Sequence, residues 1–387
     1  MATAEKTQQK AQTNGANGHA NGNTTNGASK NIPFLDPMQF AKDMSEMGMK
    51  VVRGMNILKN MTDDDLAVGQ TPREKVLDID FGKIKLYRYK STNVTCKVPL
   101  LINFAVVNKE YIIDIQPDRS FAKKMLELGH DVYTIDWGYP TRADRYRTME
   151  DYMDYLDQAI DYIRNTSPNK KANLMGVCQG GTAAIIYSSL FPHKINTLTT
   201  AVTPFEMRLE NTVMFKWAQH VDPDPIADAH GMISGEAMNA GFLMVKPMQR
   251  MEKFHMFLNM MDDKPKVQNF LRMEKWLFDS PGQPGEAYRT YTRRVFMGNE
   301  LSDGKLTVDG RLVDMNNIMM PVLTIYASHD HLVPPESTRP IHEKVGTKDK
   351  MIVEFPGGHV GVFVSSAAQK HVAPAISQWL VARSQVA

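Results

Sequence analysis

Cysteine is nearly absent. Only Cys96 and Cys178 occur in 387 residues, which excludes a disulfide framework and suits two free thiols in a reducing compartment. Neither sign of charge predominates: 45 Lys and Arg stand against 43 Asp and Glu, a net +2. That balance argues against a dedicated nucleic-acid binder. Long hydrophobic runs are missing as well. The longest, Val98–Val107, is interrupted by Asn103 and falls far short of the ~20 apolar residues a membrane-spanning helix needs. No hydrophobic signal core opens the sequence, so a cytoplasmic location is expected. Neither a Gly-rich dinucleotide fingerprint nor a phosphate-cradling P-loop occurs, and no cofactor is expected.

What is present is ordinary globular material, 42% apolar and 23% charged, enough to bury a large core. Residues 1–31 are the exception. They are Asn, Gly, Ala, Thr, Gln and Lys with little to bury, and read as a disordered low-complexity tail. From Pro37 onward, Phe40, Met44, Met47, Val51 and Met55 recur at helical spacing. Ile84–Tyr89 is strand-like. Then strand and helix signals alternate: strands at Val98–Ala105, Asp131–Asp136, Ala172–Val177 and Ile195–Val202, helices at Ser120–Leu128, Met149–Arg164 and Gln179–Leu190. Such a rhythm implies an α/β fold whose mostly parallel sheet is covered on both faces.

The rhythm stops after Pro204. Residues 204–300 read as helices, notably Met244–Met261 and Val267–Phe278, and are expected to form a helical cap subdomain. Strands resume at Val322–Ala327 and Met351–Phe355, and an amphipathic helix, Ala373–Arg383, closes the chain. Residues 32–203 and 301–387 would together make the core. Methionine is unevenly spread: 12 of the 27 fall in those 97 cap residues. Flexible thioethers suit either core filling or an adaptable apolar surface.

One segment carries a chemical signature. Gly176-Val177-Cys178-Gln179-Gly180-Gly181 lies between a predicted strand and a predicted helix, the setting of a G-x-nucleophile-x-G turn. Gly176 and Gly180 remove side chains that would clash in so sharp a turn. The helix that follows points its N-terminus at Cys178, which favours thiolate. Cys96 has no such setting. A cysteine nucleophile needs a base and an orienter, and in this fold class the acid and then the histidine follow the nucleophile on loops after later strands. Asp330 follows Val322–Ala327, and His359 follows Met351–Phe355 in Phe355-Pro356-Gly357-Gly358-His359. Cys178, Asp330 and His359 are therefore the candidate catalytic residues. The oxyanion donors should be the backbone amide of Gln179 and one from the loop after the Val98–Ala105 strand, Val106 or Val107. His329-Asp330-His331 has the look of a zinc site, but no third ligand cluster lies nearby and no metal is expected. His331 is left between a substrate-orienting and a purely structural role.

These motifs resemble the catalytic subunit of class III polyhydroxyalkanoate synthases. The likeness spans Pro37 to the C-terminus. It is carried by Ala105-Val106-Val107-Asn108, Asp136-Trp137-Gly138-Tyr139-Pro140, Gly176–Gly181, Phe270-Leu271-Arg272-Met273-Glu274-Lys275-Trp276, Asp330-His331-Leu332-Val333-Pro334-Pro335 and Gly357-Gly358-His359. The resemblance implies a lipase-like α/β-hydrolase fold and places the family's nucleophile, acid and base on Cys178, Asp330 and His359. It also implies short-chain 3-hydroxyacyl-CoA substrates, a growing polyester, a homodimer, a noncatalytic partner subunit and residence on polyester granules. Asp330 would either hold the imidazole or help deprotonate the incoming 3-hydroxyl. The expected reaction is polymerisation of 3-hydroxybutyryl-CoA with CoA release through an acyl-cysteine. The alternative is a thioesterase or depolymerase on the same fold.

Overall fold

The computed structural model describes residues 36–210 and 212–385; the expected tail, residues 1–31, lies outside them. The chain divides into a short unit ending at Met49 and a large one from Lys50 onward. Helix α1, Pro37–Lys59, begins in the first and ends in the second. No helix among the described residues is long and apolar enough to cross a membrane.

The large unit is built on one eight-stranded sheet. In chain order its strands are β1 (Arg73–Ile79), β2 (Ile84–Tyr89), β3 (Cys96–Asn103), β4 (His130–Asp136), β5 (Ala172–Val177), β6 (Ile195–Ala201), β7 (Val322–Ala327) and β8 (Lys350–Phe355). In space the order is β1-β2-β4-β3-β5-β6-β7-β8. β1 and β2 pair antiparallel, as do β2 and β4, and every other pair is parallel. β3 to β7 are buried along nearly their whole length, because helices cover both faces and leave no polar side to alternate with. β1 escapes a pattern reading for the opposite reason. Its Arg73-Glu74-Lys75 start is charged and it forms one edge of the sheet, where charge guards against stray pairing.

Local chemistry starts the covering helices where the sequence says. Ser120 Oγ accepts from the Lys123 amide at 3.0 Å and opens α2 (Phe121–Glu127). Thr148 and Asp151 form a reciprocal capping box before α3 (Met149–Thr166), which buries Met153, Leu156, Ile160 and Ile163. α4 (Gln179–Leu190) is buried almost all round.

Between β6 and β7 the chain is mostly helical, as expected, with two short helices, Val213–Ala218 and Pro223–His230, ahead of the longer ones. The single helix expected over Met244–Met261 is in fact two, α5 (Gly235–Val245) and α6 (Pro247–Met260). Pro247 has no amide hydrogen and pushes Lys246 out of helical geometry, to φ −140° and ψ 77°. α7 (Lys264–Phe278) follows, then a π-helical stretch, Tyr291–Met297. Two-residue strands, Met232–Ile233 and Gln283–Pro284, pair within this region. α8 (Ala373–Arg383) ends the described chain and buries Ile376, Trp379 and Leu380.

The loop after β3 is pinned from two sides. Trp137 Nε1 donates to the Phe104 carbonyl at 3.2 Å, and Trp276 Nε1, from α7, donates to the Lys109 carbonyl at 2.8 Å. Beneath it the buried Lys109 ammonium pairs with Asp136 and sits 3.7 Å from Glu110, which Arg73 also holds at 2.9 Å. Removing one partner of a buried ion group strands the others. Lys109→Met should therefore cost about 3–5 kcal/mol in urea denaturation; a loss under about 1 kcal/mol would show that this cluster does not hold the loop.

Candidate active site

The turn from β5 into α4 brings backbone segments together with almost nothing between them. A β-carbon on Gly176 would strike Gly181 and the Gly180 carbonyl; one on Gly180 would strike the Asn103 carbonyl; one on Gly181 would strike the Thr203 side chain. The glycines let the helix end rest directly against the end of β3 and against Thr203, just past β6. Cys178, at the apex, takes φ 53° and ψ −128°, a region that costs a non-glycine residue about 1–3 kcal/mol. Its amide donates to the Ala201 carbonyl at 2.9 Å, and its carbonyl accepts from Gly181 at 2.8 Å. The strained turn is thus held from both sides and presents the sulfur outward. Asn103, the polar break in the longest apolar run, is fully buried and donates through Nδ2 to the Gly180 carbonyl at 3.0 Å. It ties β3 to the start of α4.

The two other candidates arrive from β7 and β8. His359 Nδ1 lies 2.6 Å from Asp330 Oδ2, and the Asp330 carboxylate is buried. Asp330 Oδ1 accepts the amides of Leu332 and Val333, each at 2.9 Å. One carboxylate oxygen is spent on its own loop and the other is aimed at the imidazole. Burial works against a charged His359, but the charges of Cys178 and Asp330, with hydrogen bonds to both, outweigh it and push the imidazole up to about 10. The fold therefore gathers sulfur, imidazole and carboxylate from three loops at the C-terminal ends of parallel strands, where α/β sheets place their ligands.

Cys178 opens into a cavity whose walls, among them Trp217, Phe242 and Val333, are largely apolar. Gln179 and Val107 share that cavity. Val106 instead lines a smaller neighbouring apolar cavity with Gln179 and Gly180. The two valines left open by the sequence thus face different spaces. Gln179 stands at the first position of α4, where backbone amides have no acceptor within the helix. His331 lies apart from the sulfur, in a cavity with Lys246, and burial ahead of the Lys246 charge pushes it down. Cys96 is buried, and burial raises its thiol. Among the described residues no group of three His, Cys, Asp or Glu is gathered to hold a metal ion.

Comparison with known proteins settles the family. Residues 112–366 match the model of the alpha/beta hydrolase fold. Poly(3-hydroxyalkanoate) polymerase subunit PhaC of Thiocystis violacea is 42% identical over 354 residues, 90% of this chain and 99% of that one. The subunit of the same name from Allochromatium vinosum is 42% identical over 351 residues, 89% of this chain and 98% of its own. The chain belongs to the poly(3-hydroxyalkanoate) polymerase family. Among solved structures, a monoglyceride lipase from Saccharomyces cerevisiae matches with a TM-score of 0.54 at 13% identity, covering 83% of this chain and 98% of the lipase. That likeness is one of fold alone.

In this polymerase family member the residues that sequence reasoning missed are those that act through position. Asn103 left a trace as a lone amide in an apolar strand. Tyr291, whose hydroxyl lies 3.3 Å from Thr182 Oγ1 under the turn, left none. Two outcomes follow from the geometry. Gly180→Ala forces a β-carbon into the Asn103 and Phe104 backbone, so thermal or urea unfolding should show a loss of about 3 kcal/mol. By NMR of ring-labelled histidine, His359 should remain protonated past pH 8, above the ordinary ~6.5, and Asp330→Asn should bring its midpoint down. A midpoint near the ordinary value in the intact protein would refute the ion pairing.

Proposed function

We propose that the chain polymerises short 3-hydroxyacyl-CoA thioesters into polyester, carrying each acyl group on Cys178. The observation that supports this reading most directly is the His359–Asp330 pair beside a sulfur held at a strained strand-to-helix apex. With the proton kept on His359, the sulfur attacks as thiolate. It adds to the thioester carbonyl, and the developing oxyanion is met by the Gln179 amide and one from the loop after β3, with Val107 favoured over Val106 because it faces the cavity that holds the sulfur. The CoA sulfur leaves with the His359 proton. The exchange of one thioester for another is nearly isoenergetic, so the acyl group stays activated. His359, now neutral, takes the proton of an incoming 3-hydroxyl, whose oxygen attacks the acyl-cysteine. An ester forms, the Cys178 thiolate leaves and the starting ion pair returns. Asp330, with one oxygen held by two amides and the other on His359, is suited to orienting the imidazole.

In this reading residues 204–300 form a cap over a core made of 32–203 and 301–387, and keep water off the acyl-enzyme. The methionines of α5 and α6 support a surface role for part of that cap: Met244, Met248, Met251 and Met256 are all exposed, with Phe254 among them. Such a pliant apolar face suits a lengthening polyester or another subunit. We extend the reading to a cytoplasmic homodimer at the granule surface, working with a noncatalytic partner subunit.

Brief reaction with labelled 3-hydroxybutyryl-CoA, followed by peptide mass spectrometry, should find the label on Cys178. Cys178→Ser should keep the thermal midpoint and lose at least about 100-fold in CoA release. Label on another side chain, or free 3-hydroxybutyrate with no polymer, would overturn the proposal; the second result marks a hydrolase.

A further inference from the structure

The two apolar cavities beside Cys178 meet at a shared wall made of Gln179, Gln283 and Tyr291. Two of those three side chains carry an amide, and the amides are unpartnered in complementary ways. Gln283 is 5% exposed, and its Nε2 has no hydrogen-bond acceptor; Gln179 Oε1 is buried and has no donor. A buried amide left without a partner costs about 1–3 kcal/mol. Gln283 pairs with Ile233 in the two-residue ladder that crosses this region, and Gln179 is fixed by the turn that presents the sulfur. The wall therefore offers one free donor and one free acceptor in otherwise apolar surroundings, on the lining of the cavity into which Cys178 opens.

One group answers both at once. A hydroxyl accepts through its oxygen and donates through its hydrogen, whereas a thioester carbonyl only accepts and a methyl does neither. We propose that Gln283 is a specificity-determining residue: its Nε2 donates to the 3-hydroxyl of the acyl unit held at Cys178, while that hydroxyl donates to Gln179 Oε1. This rests on the polymerase reading above and adds to it the part of the substrate that is recognised.

Gln283→Leu and Gln283→Met are the variants to make, since each removes the amide at similar volume and Nε2 holds no protein group that would be stranded. Two quantities separate the possibilities: kcat/KM for 3-hydroxybutyryl-CoA, and the inhibition constant of butyryl-CoA, which lacks the hydroxyl, as a competitor. We expect kcat/KM to fall by about 10- to 100-fold in both variants, with the butyryl-CoA constant and the thermal midpoint unchanged. A fall of less than about threefold overturns the inference, and so does an equal weakening of butyryl-CoA, which would mark a general packing defect. Failure of the wild-type chain to release CoA and form polymer would overturn the parent reading instead.

Discussion

The site depends on a close approach of bare backbone. Gly176, Gly180 and Gly181 let the first turn of α4 lie against β5, the backbone at the end of β3 and the Thr203 side chain just past β6. Everything reactive is referenced to that contact. It sets the apex at which Cys178 is strained outward, it directs the N-terminal amides of α4 at the space above the sulfur, and it lets Asn103 reach the Gly180 carbonyl. The strain at Cys178 is tolerated because hydrogen bonds fix the residue from both sides.

The electrostatics follow from placement on three different loops. Asp330 has one oxygen saturated by its own loop, so its remaining charge is directional and meets the imidazole alone. A buried imidazole would ordinarily shed its proton; here an anion on either side reverses the preference. In the proposed reaction His359 would give a proton first and take one later, the order that acyl transfer through a thioester requires. The apolar walls around the sulfur sharpen the effect, since charges interact more strongly where water is scarce.

Much of this was legible in the sequence, for a definite reason. Cys178, Asp330 and His359 each lie within four residues of the end of a parallel strand, and short loops after parallel strands leave little freedom in where a side chain ends up. β5, α4 and α8 match their expected bounds; α4 ends where Phe191 precedes Pro192, which a helix does not pass. The misses have physical causes too. β1 carries charge because it is an edge strand, so its pattern is silent. The break between α5 and α6 turns on Pro247, which helical periodicity overrode in the reading although its chemistry forbids a continuous helix. Gln283 could not be found at all. Its proposed role comes from sharing a wall with Gln179, assembled from segments about a hundred positions apart, and no local pattern records that.

The ladder around the nucleophile has one more consequence. The Cys178 amide bonds to Ala201 at the end of β6, the neighbouring Val202 amide bonds to Ile325 in β7, and β7 leads into the loop of Asp330. Sulfur and carboxylate are thereby gauged against one rigid frame, as two fittings bolted to the same beam keep their spacing while the panels on either side flex. Adjustment of the covering helices would leave that spacing unchanged.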